Sequence, residues 1–140
     1  MSQENVEVVR RVFESFQAGL ARGDPSAFFD LETVPDDYEI VIAPGVAIER
    51  LVYRGREGWD EFFRSWTEDF DDWSFRVERL IDAGDDRVVA HTPQSAVGKR
   101  SGVPVEWNFG QVFEFEKGRL VRVRFYLSYA EALEAAGLRE

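Results

Sequence analysis

The sequence predicts an α+β fold, in which a curved antiparallel sheet wraps around a layer of N-terminal helices. Three observations predict it. Apolar residues at helical spacing dominate the first half of the chain. Four strand-like segments follow one another in the second half. The longest of them, within Val103 to Phe115, alternates at period two, the mark of a strand with one buried face. Strands in succession, segregated from helices, indicate α+β rather than a parallel α/β sheet.

The elements follow in order. Val6, Val9, Phe13, Phe16 and Leu20 form the stripe of a first helix, which Gly23 ends. Asp24 caps a short second helix, with Pro25 in its first position, running through Phe28, Phe29 and Leu31. Tyr38 to Ile42 is a short strand, and Val46 to Val52 is either loop or irregular strand. A third helix carries the stripe Trp59, Phe62, Phe63, Trp66 and Phe70. Trp73 to Ala83 and Arg87 to Val97 are strands around the turn Gly84-Asp85-Asp86. A hairpin follows, turning at Glu116-Lys117-Gly118. A three-residue loop with Gly118 left-handed sets Phe113 opposite Val121, Phe109 opposite Phe125 and Trp107 opposite Leu127, and the apolar match favours it over a two-residue loop. Ser128 and Glu131 fit a capping box opening a last helix, which Gly137 ends.

The 140 residues are most simply one domain, 1–140, with a sizeable core. A net charge of -10 without a basic stripe argues against nucleic acid as partner. The absence of cysteine removes disulfides, zinc-thiolate sites and thiol nucleophiles. No apolar run approaches a membrane span, and no signal-peptide pattern opens the chain, so a cytoplasmic protein is the default expectation. No metal-ligand cluster, phosphate loop, dinucleotide fingerprint or nucleophile elbow is present, and no cofactor or metal is expected.

Gln111 is the one polar residue on the inward parity of its strand, between Phe109 and Phe113. A buried amide needs partners. It is either a core glutamine satisfied inside the protein or the polar anchor of a pocket. His91, the only histidine, is the natural base near neutral pH, but it shares parity with Arg87, Pro93 and Ser95 rather than with the apolar set Val88, Ala90, Thr92 and Ala96. A bulge at Pro93 would reverse that. Glu49, in the ambiguous segment, is the other candidate base. Phe13, Phe16, Tyr38, Phe62, Phe63, Trp66, Trp107, Phe109 and Phe125 are candidates to line a cavity at the open end of the cup, or else to fill it.

Four stretches, in this order, resemble the SnoaL-like branch of the nuclear transport factor 2-like superfamily: NVEVVRRVFESFQAGL, YRGREGWDEFF, LIDAGDDRVVA and GRLVRVRFYLSYAEALEAAGL. The resemblance spans essentially the whole chain. It implies a cone-shaped α+β barrel, or cystatin-like roll, with an apolar pocket, commonly a homodimer packed through the sheets. It also implies a range of activities: polyketide cyclases, ketosteroid isomerases, scytalone dehydratase, limonene epoxide hydrolase, and members that only bind or assemble. The isomerase branch ends its first strand in Asp-Pro, with the aspartate as base, where this chain has Ala43-Pro44. Its tyrosine donor comes from the first helix, where this chain has Phe13 and Phe16. The cyclases use an aspartate and histidines around the late strands, where this chain reads Phe125-Tyr126-Leu127-Ser128. Relatives with histidine near the Gln111 position differ from this chain there as well. The expectation is an apolar small-molecule pocket, either in a cofactor-free acid-base enzyme of cyclase, isomerase or hydratase type, with Gln111 orienting the substrate and His91 or Glu49 as base, or in a non-catalytic binding or dimerisation module. A homodimer contact is expected on the outer sheet face around Val112, Arg122, Arg124 and Tyr126.

Overall fold

The computed structural model describes residues 2–43 and 52–138. Glu49 and most of the ambiguous segment lie outside them. Helix α1 (Ser2–Ala21) buries Val6, Val9, Val12 and Phe16 against the sheet. It stops where Gly23 takes a positive φ of 78° and the Asp24 N–H returns to the Gly19 carbonyl at 2.7 Å. The next helical turn is 3₁₀, covers only Ala27–Asp30, and starts after Ser26. Asp24 accepts a bond from the Ser26 hydroxyl at 3.4 Å and does not cap it.

Strands β1 (Glu39–Ile42) and β2 (Val52–Arg54) pair antiparallel, and helix α2 (Gly55–Asp69) follows. The junction needs glycine. Gly55 has φ +67°, and a Cβ there would lie 2.7 Å from the Asp36 carbonyl oxygen. Its N–H donates to the Tyr38 carbonyl at 2.8 Å. Five strands make up the rest of the sheet with β1 and β2: β3 (Phe70–Phe75), β4 (Arg79–Gly84), β5 (Arg87–Gly98), β6 (Pro104–Glu116) and β7 (Arg119–Tyr126). The spatial order is β2-β1-β7-β6-β5-β3, with β4 also on β5. The sheet curls around α1 and is mixed rather than purely antiparallel, because β1 runs parallel to β7. Parallel neighbours need a long crossover, and α2 with the four strands between β2 and β7 supplies it.

The segment expected as one strand over Trp73 to Ala83 is two strands laid end to end along β5. Phe70, expected on the α2 stripe, already belongs to β3. The interruption lies opposite Pro93, which has no N–H to give the ladder. The Arg76 N–H reaches the Pro93 carbonyl at 3.2 Å and the Glu78 N–H that of His91 at 2.8 Å, after which the pairing has slipped by one residue.

The β6–β7 hairpin also departs from expectation. Its loop has two residues, Lys117 and Gly118, both at positive φ (51° and 80°), with Glu116 opposite Arg119. The register then shifts between Phe115 and Glu114, leaving Val121 as the extra residue of a bulge. Beyond the bulge Phe113 faces Val123 and Gln111 faces Phe125. The bulge restores the apolar match that a two-residue loop alone would forfeit. Leu120 takes the buried place expected of Val121, and Leu127 is exposed.

The main core fills the space between α1, α2 and the inner sheet face. A second, smaller core lies on the outer face, where helix α3 (Tyr129–Ala135) packs Tyr129, Ala132 and Leu133 onto Val89 and Val112. The Ser128 side chain accepts from the Glu131 N–H at 3.1 Å, as its capping role requires. Val112 is thus 2% exposed and is not available to a partner's contact. Beside α3 the outer face carries an ion-pair chain across four strands. Glu39 holds Arg54 (3.0 Å) and Arg122 (2.6 Å), and Glu114 holds Arg122 (2.6 Å) and Arg124 (2.7 Å). Among the described residues no helix is long and apolar enough to cross a membrane.

Two predictions follow from these packings. A Cβ on Gly110 would lie 2.8 Å from both the Tyr129 Cα and the Ala132 Cβ. Gly110→Ala is therefore expected to push α3 outward at a cost of about 1–3 kcal/mol, read as a lower urea midpoint. The second concerns pH. The Arg122 hydrogen bond, with help from Arg54, lowers the Glu39 pKa. At Glu114 burial pushes the pKa up, but the bonds from Arg122 and Arg124 more than reverse it. Both folded values lie below the ordinary 4.5, so the stability these groups add is full above that pH and is lost as pH falls through the folded values. Glu114→Gln should cost about 1–2 kcal/mol at pH 7, between exposed and buried pairs. Urea titrations at decreasing pH should show that difference shrinking below 4.5.

Candidate functional site

Between the helices and the inner sheet face lies a cavity of about 90 Å³. α1 contributes Phe13 and Phe16, α2 contributes Phe62, Phe63 and Trp66, and Tyr38 stands just before β1. β6 brings Phe109 and Gln111, and β7 brings Phe125. Phe16 is the hub of the wall, its ring within 6.2 Å of those of Phe28, Trp59, Phe63, Trp73 and Phe75. Trp107, expected among the lining residues, is not one of them. It stacks on Phe109 with ring centroids 5.3 Å apart and leans on Trp66 and Phe70, further toward the start of β6.

Sequence reasoning did not nominate Thr92, Gln94, Trp73, Phe75, Phe28, Trp59 or Phe113, which also line the cavity. Thr92 and Gln94 matter most, because with Gln111 they make its polar strip. The β5–β6 register sets Ala90 opposite Gln111 and Thr92 opposite Phe109, so Thr92 lies diagonally across from Gln111 on the same face. Gln111 Nε2 donates to Thr92 Oγ1 at 2.6 Å, and Gln94 Nε2 donates to the same oxygen at 3.4 Å. The Trp73 indole N–H donates to Gln94 Oε1 at 2.8 Å. The signal that would have found them is parity, since Gln94 sits two residues from Thr92 on the inward side of β5.

That strip ends incomplete. Gln111 is 2% exposed and its Oε1 has no partner. Turning the amide over exchanges the ends and leaves Nε2 orphaned instead. The indole Nε1 of Trp66, another lining residue, is likewise buried and unpartnered. An orphaned buried donor or acceptor costs about 1–3 kcal/mol. Tyr38 is the only ionisable side chain among the described lining residues, and burial pushes its pKa well up, so at neutral pH it keeps its proton.

His91 does not reach the cavity. β5 pairs with β6 without a register shift through Pro93, so no bulge reverses its parity. Its ring stacks on Tyr129 at 4.2 Å on the outer face, and its Nε2 bonds Asn108. Among the described residues no group of histidine, cysteine, aspartate or glutamate side chains is arranged to hold a metal.

A family model described as a SnoaL-like domain matches residues 9–123. The chain belongs to the SnoaL-like family. No functionally curated protein matches this SnoaL-like chain. Among solved structures it resembles a nuclear transport factor 2-like protein of unknown function from Burkholderia pseudomallei, at 19% identity and TM-score 0.70, over 94% of this chain and 95% of that one. It also resembles TerC co-crystallised with polyporic acid, at 18% identity and TM-score 0.69, over 96% and 98%. A third is a ketosteroid isomerase-like fold from Catenulispora acidiphila in complex with trimethylamine, at 16% identity and TM-score 0.65, over 91% and 92%. At these identities the likeness establishes the fold alone.

The polar strip makes a prediction about stability. Thr92→Val removes the acceptor of Gln111 Nε2 and strands both ends of that amide, at an expected cost of about 1–3 kcal/mol. Adding Gln111→Leu should recover much of the loss, because the fully buried amide is then gone and only the long bond from the partly exposed Gln94 Nε2 stays unmade. Urea unfolding of the two single variants and the double variant reads this as a coupling energy.

Proposed function

We propose that this SnoaL-like protein binds a compact, largely apolar small molecule in the cavity between its helices and sheet, as a binding protein rather than an acid-base catalyst. The observation that carries the reading is the pairing of an aromatic cavity with a buried amide left one partner short at Gln111. Ligand sites have this composition: apolar walls with a few polar groups that fix orientation. The size limits the occupant. An apolar cavity of about 150 Å³ takes up benzene, so about 90 Å³ admits at most one ring. The half-buried Phe62, Phe63 and Phe125 are the walls free to adjust around it. Two proteins of the same fold, crystallised with trimethylamine and with polyporic acid, support the small-molecule reading.

The binding reading is preferred over catalysis because proton transfer needs a base at the reacting atom. The described lining offers only the protonated Tyr38, and His91 faces the other side of the sheet.

The test is a thermal-shift titration against single-ring and small branched compounds. A compound at about 100 times its dissociation constant should add about 2.7 kcal/mol of stability. Val12→Leu, which adds a methylene to the lining, should weaken every binder while keeping the fold. No saturable shift with any compound would refute the proposal.

A further inference from the structure

We infer that the ligand carries a hydroxyl, and that Gln111 selects it; this deepens the binding reading above and rests on it. The polar strip can be accounted for bond by bond. The Trp73 N–H is taken by Gln94 Oε1, and Gln94 Nε2 and Gln111 Nε2 both donate to Thr92 Oγ1. Two groups remain without a partner, Gln111 Oε1 and Trp66 Nε1. Gln111 is held in place by its short bond to Thr92 and by Phe109 and Phe113, the neighbours on its own face of β6, so its free end is a fixed reading head.

The chemistry of that head narrows the ligand. As placed, the acceptor oxygen asks for a donor, which ethers, ketones and plain hydrocarbons lack; with the amide turned over an ether or ketone would match, but of these groups only a hydroxyl matches both orientations. An ammonium donates, but no carboxylate among the described lining residues would offset its charge within these apolar walls. A carboxylate ligand meets the same objection, since no lysine or arginine is among the described lining residues. A hydroxyl is neutral and donates to Oε1, and with the amide turned over it accepts from Nε2 instead. It therefore satisfies Gln111 in either orientation. The volume restricts the remainder of the molecule to one ring or a small branched chain. The ligand class is thus a phenol or a compact cyclic alcohol.

Matched compounds test this without knowledge of the natural ligand. Phenol, toluene, anisole and benzylamine are titrated into the wild type and into Gln111→Leu by calorimetry. The expected result is that phenol binds the wild type at least tenfold more tightly than toluene or anisole, and that Gln111→Leu abolishes or inverts this preference while retaining toluene. Discrimination of this kind is what a site loses when its buried polar group is left unpaired. Toluene or anisole binding as well as phenol would overturn the hydroxyl assignment and leave the cavity as a binding site. Preferential binding of benzylamine would also overturn it. Binding by none of the four would count against the binding reading itself. Should Gln111→Leu fail to fold, the ranking of the four on the wild type decides, with Gln111→Met as the second variant.

Discussion

The pairing of β5 with β6 is the constraint on which the structure depends. It runs without a register shift from Arg87 opposite Glu114 to Val97 opposite Pro104. Every other part of the sheet attaches to one side of it, β7 and then β1 on β6, and β3 and β4 on β5. Because the ladder does not slip, one face is fixed along its whole length, and Thr92, Gln94, Phe109, Gln111 and Phe113 are held toward the helices. Irregularity is displaced to the neighbours: a bulge at Val121 in β7 and a break before Arg79 between β3 and β4.

That division explains what could be read from the sequence. Strand β6 is legible because its sequence alternates over most of its length, although α3 buries both faces from Phe109 to Phe113, and Gln111 stands out in it as the one polar residue on the inward side. The hairpin register was not legible. Lys117 adopts a left-handed conformation that its side chain does not advertise, and the bulge at Val121 then corrects the pairing at a distance from the turn. The faces came out right for Phe113 and Phe125 although the partners did not, because the apolar match is a property of the face and survives a turn and a bulge that offset each other. In β5, Thr92 was grouped with the apolar residues for its parity. Its role as the oxygen shared by Gln94 and Gln111 needs the diagonal relation between strands, which no single segment contains. Similarly, the parallel placement of β1 on β7 leaves no periodic trace in either strand.

The two faces of the sheet use opposite means. The inner face is aromatic and keeps its few polar atoms in one short strip. The outer face is half covered by α3, admitted by the missing side chain at Gly110, and half tied by carboxylates that each hold two arginines. Glu39 and Glu114 are both half-buried, and each links two or more strands, so the charges serve the sheet's own cohesion. His91 belongs to this side, locked between Tyr129 and Asn108, and a chemistry assigned to it from its residue type alone would have been placed on the wrong surface.

The parallel contact between β1 and β7 has a consequence for the order in which the chain can assemble. β1 is made early and its other neighbour, β2, is only three residues long. Its principal neighbour, β7, is made only after α2 and four further strands. During synthesis β1 lacks its β7 neighbour until Arg119–Tyr126 has been made, whereas α1 can already pack Phe13 and Phe16 onto Trp73, Phe75 and Phe113 of the earlier strands. Joining β1 to the sheet is therefore a later event than the packing of α1 on it. A ribosome stalled short of β7 would present a sheet with an open β6 edge and a β1–β2 hairpin with no place on it, the kind of unpaired strand edge on which folding intermediates aggregate.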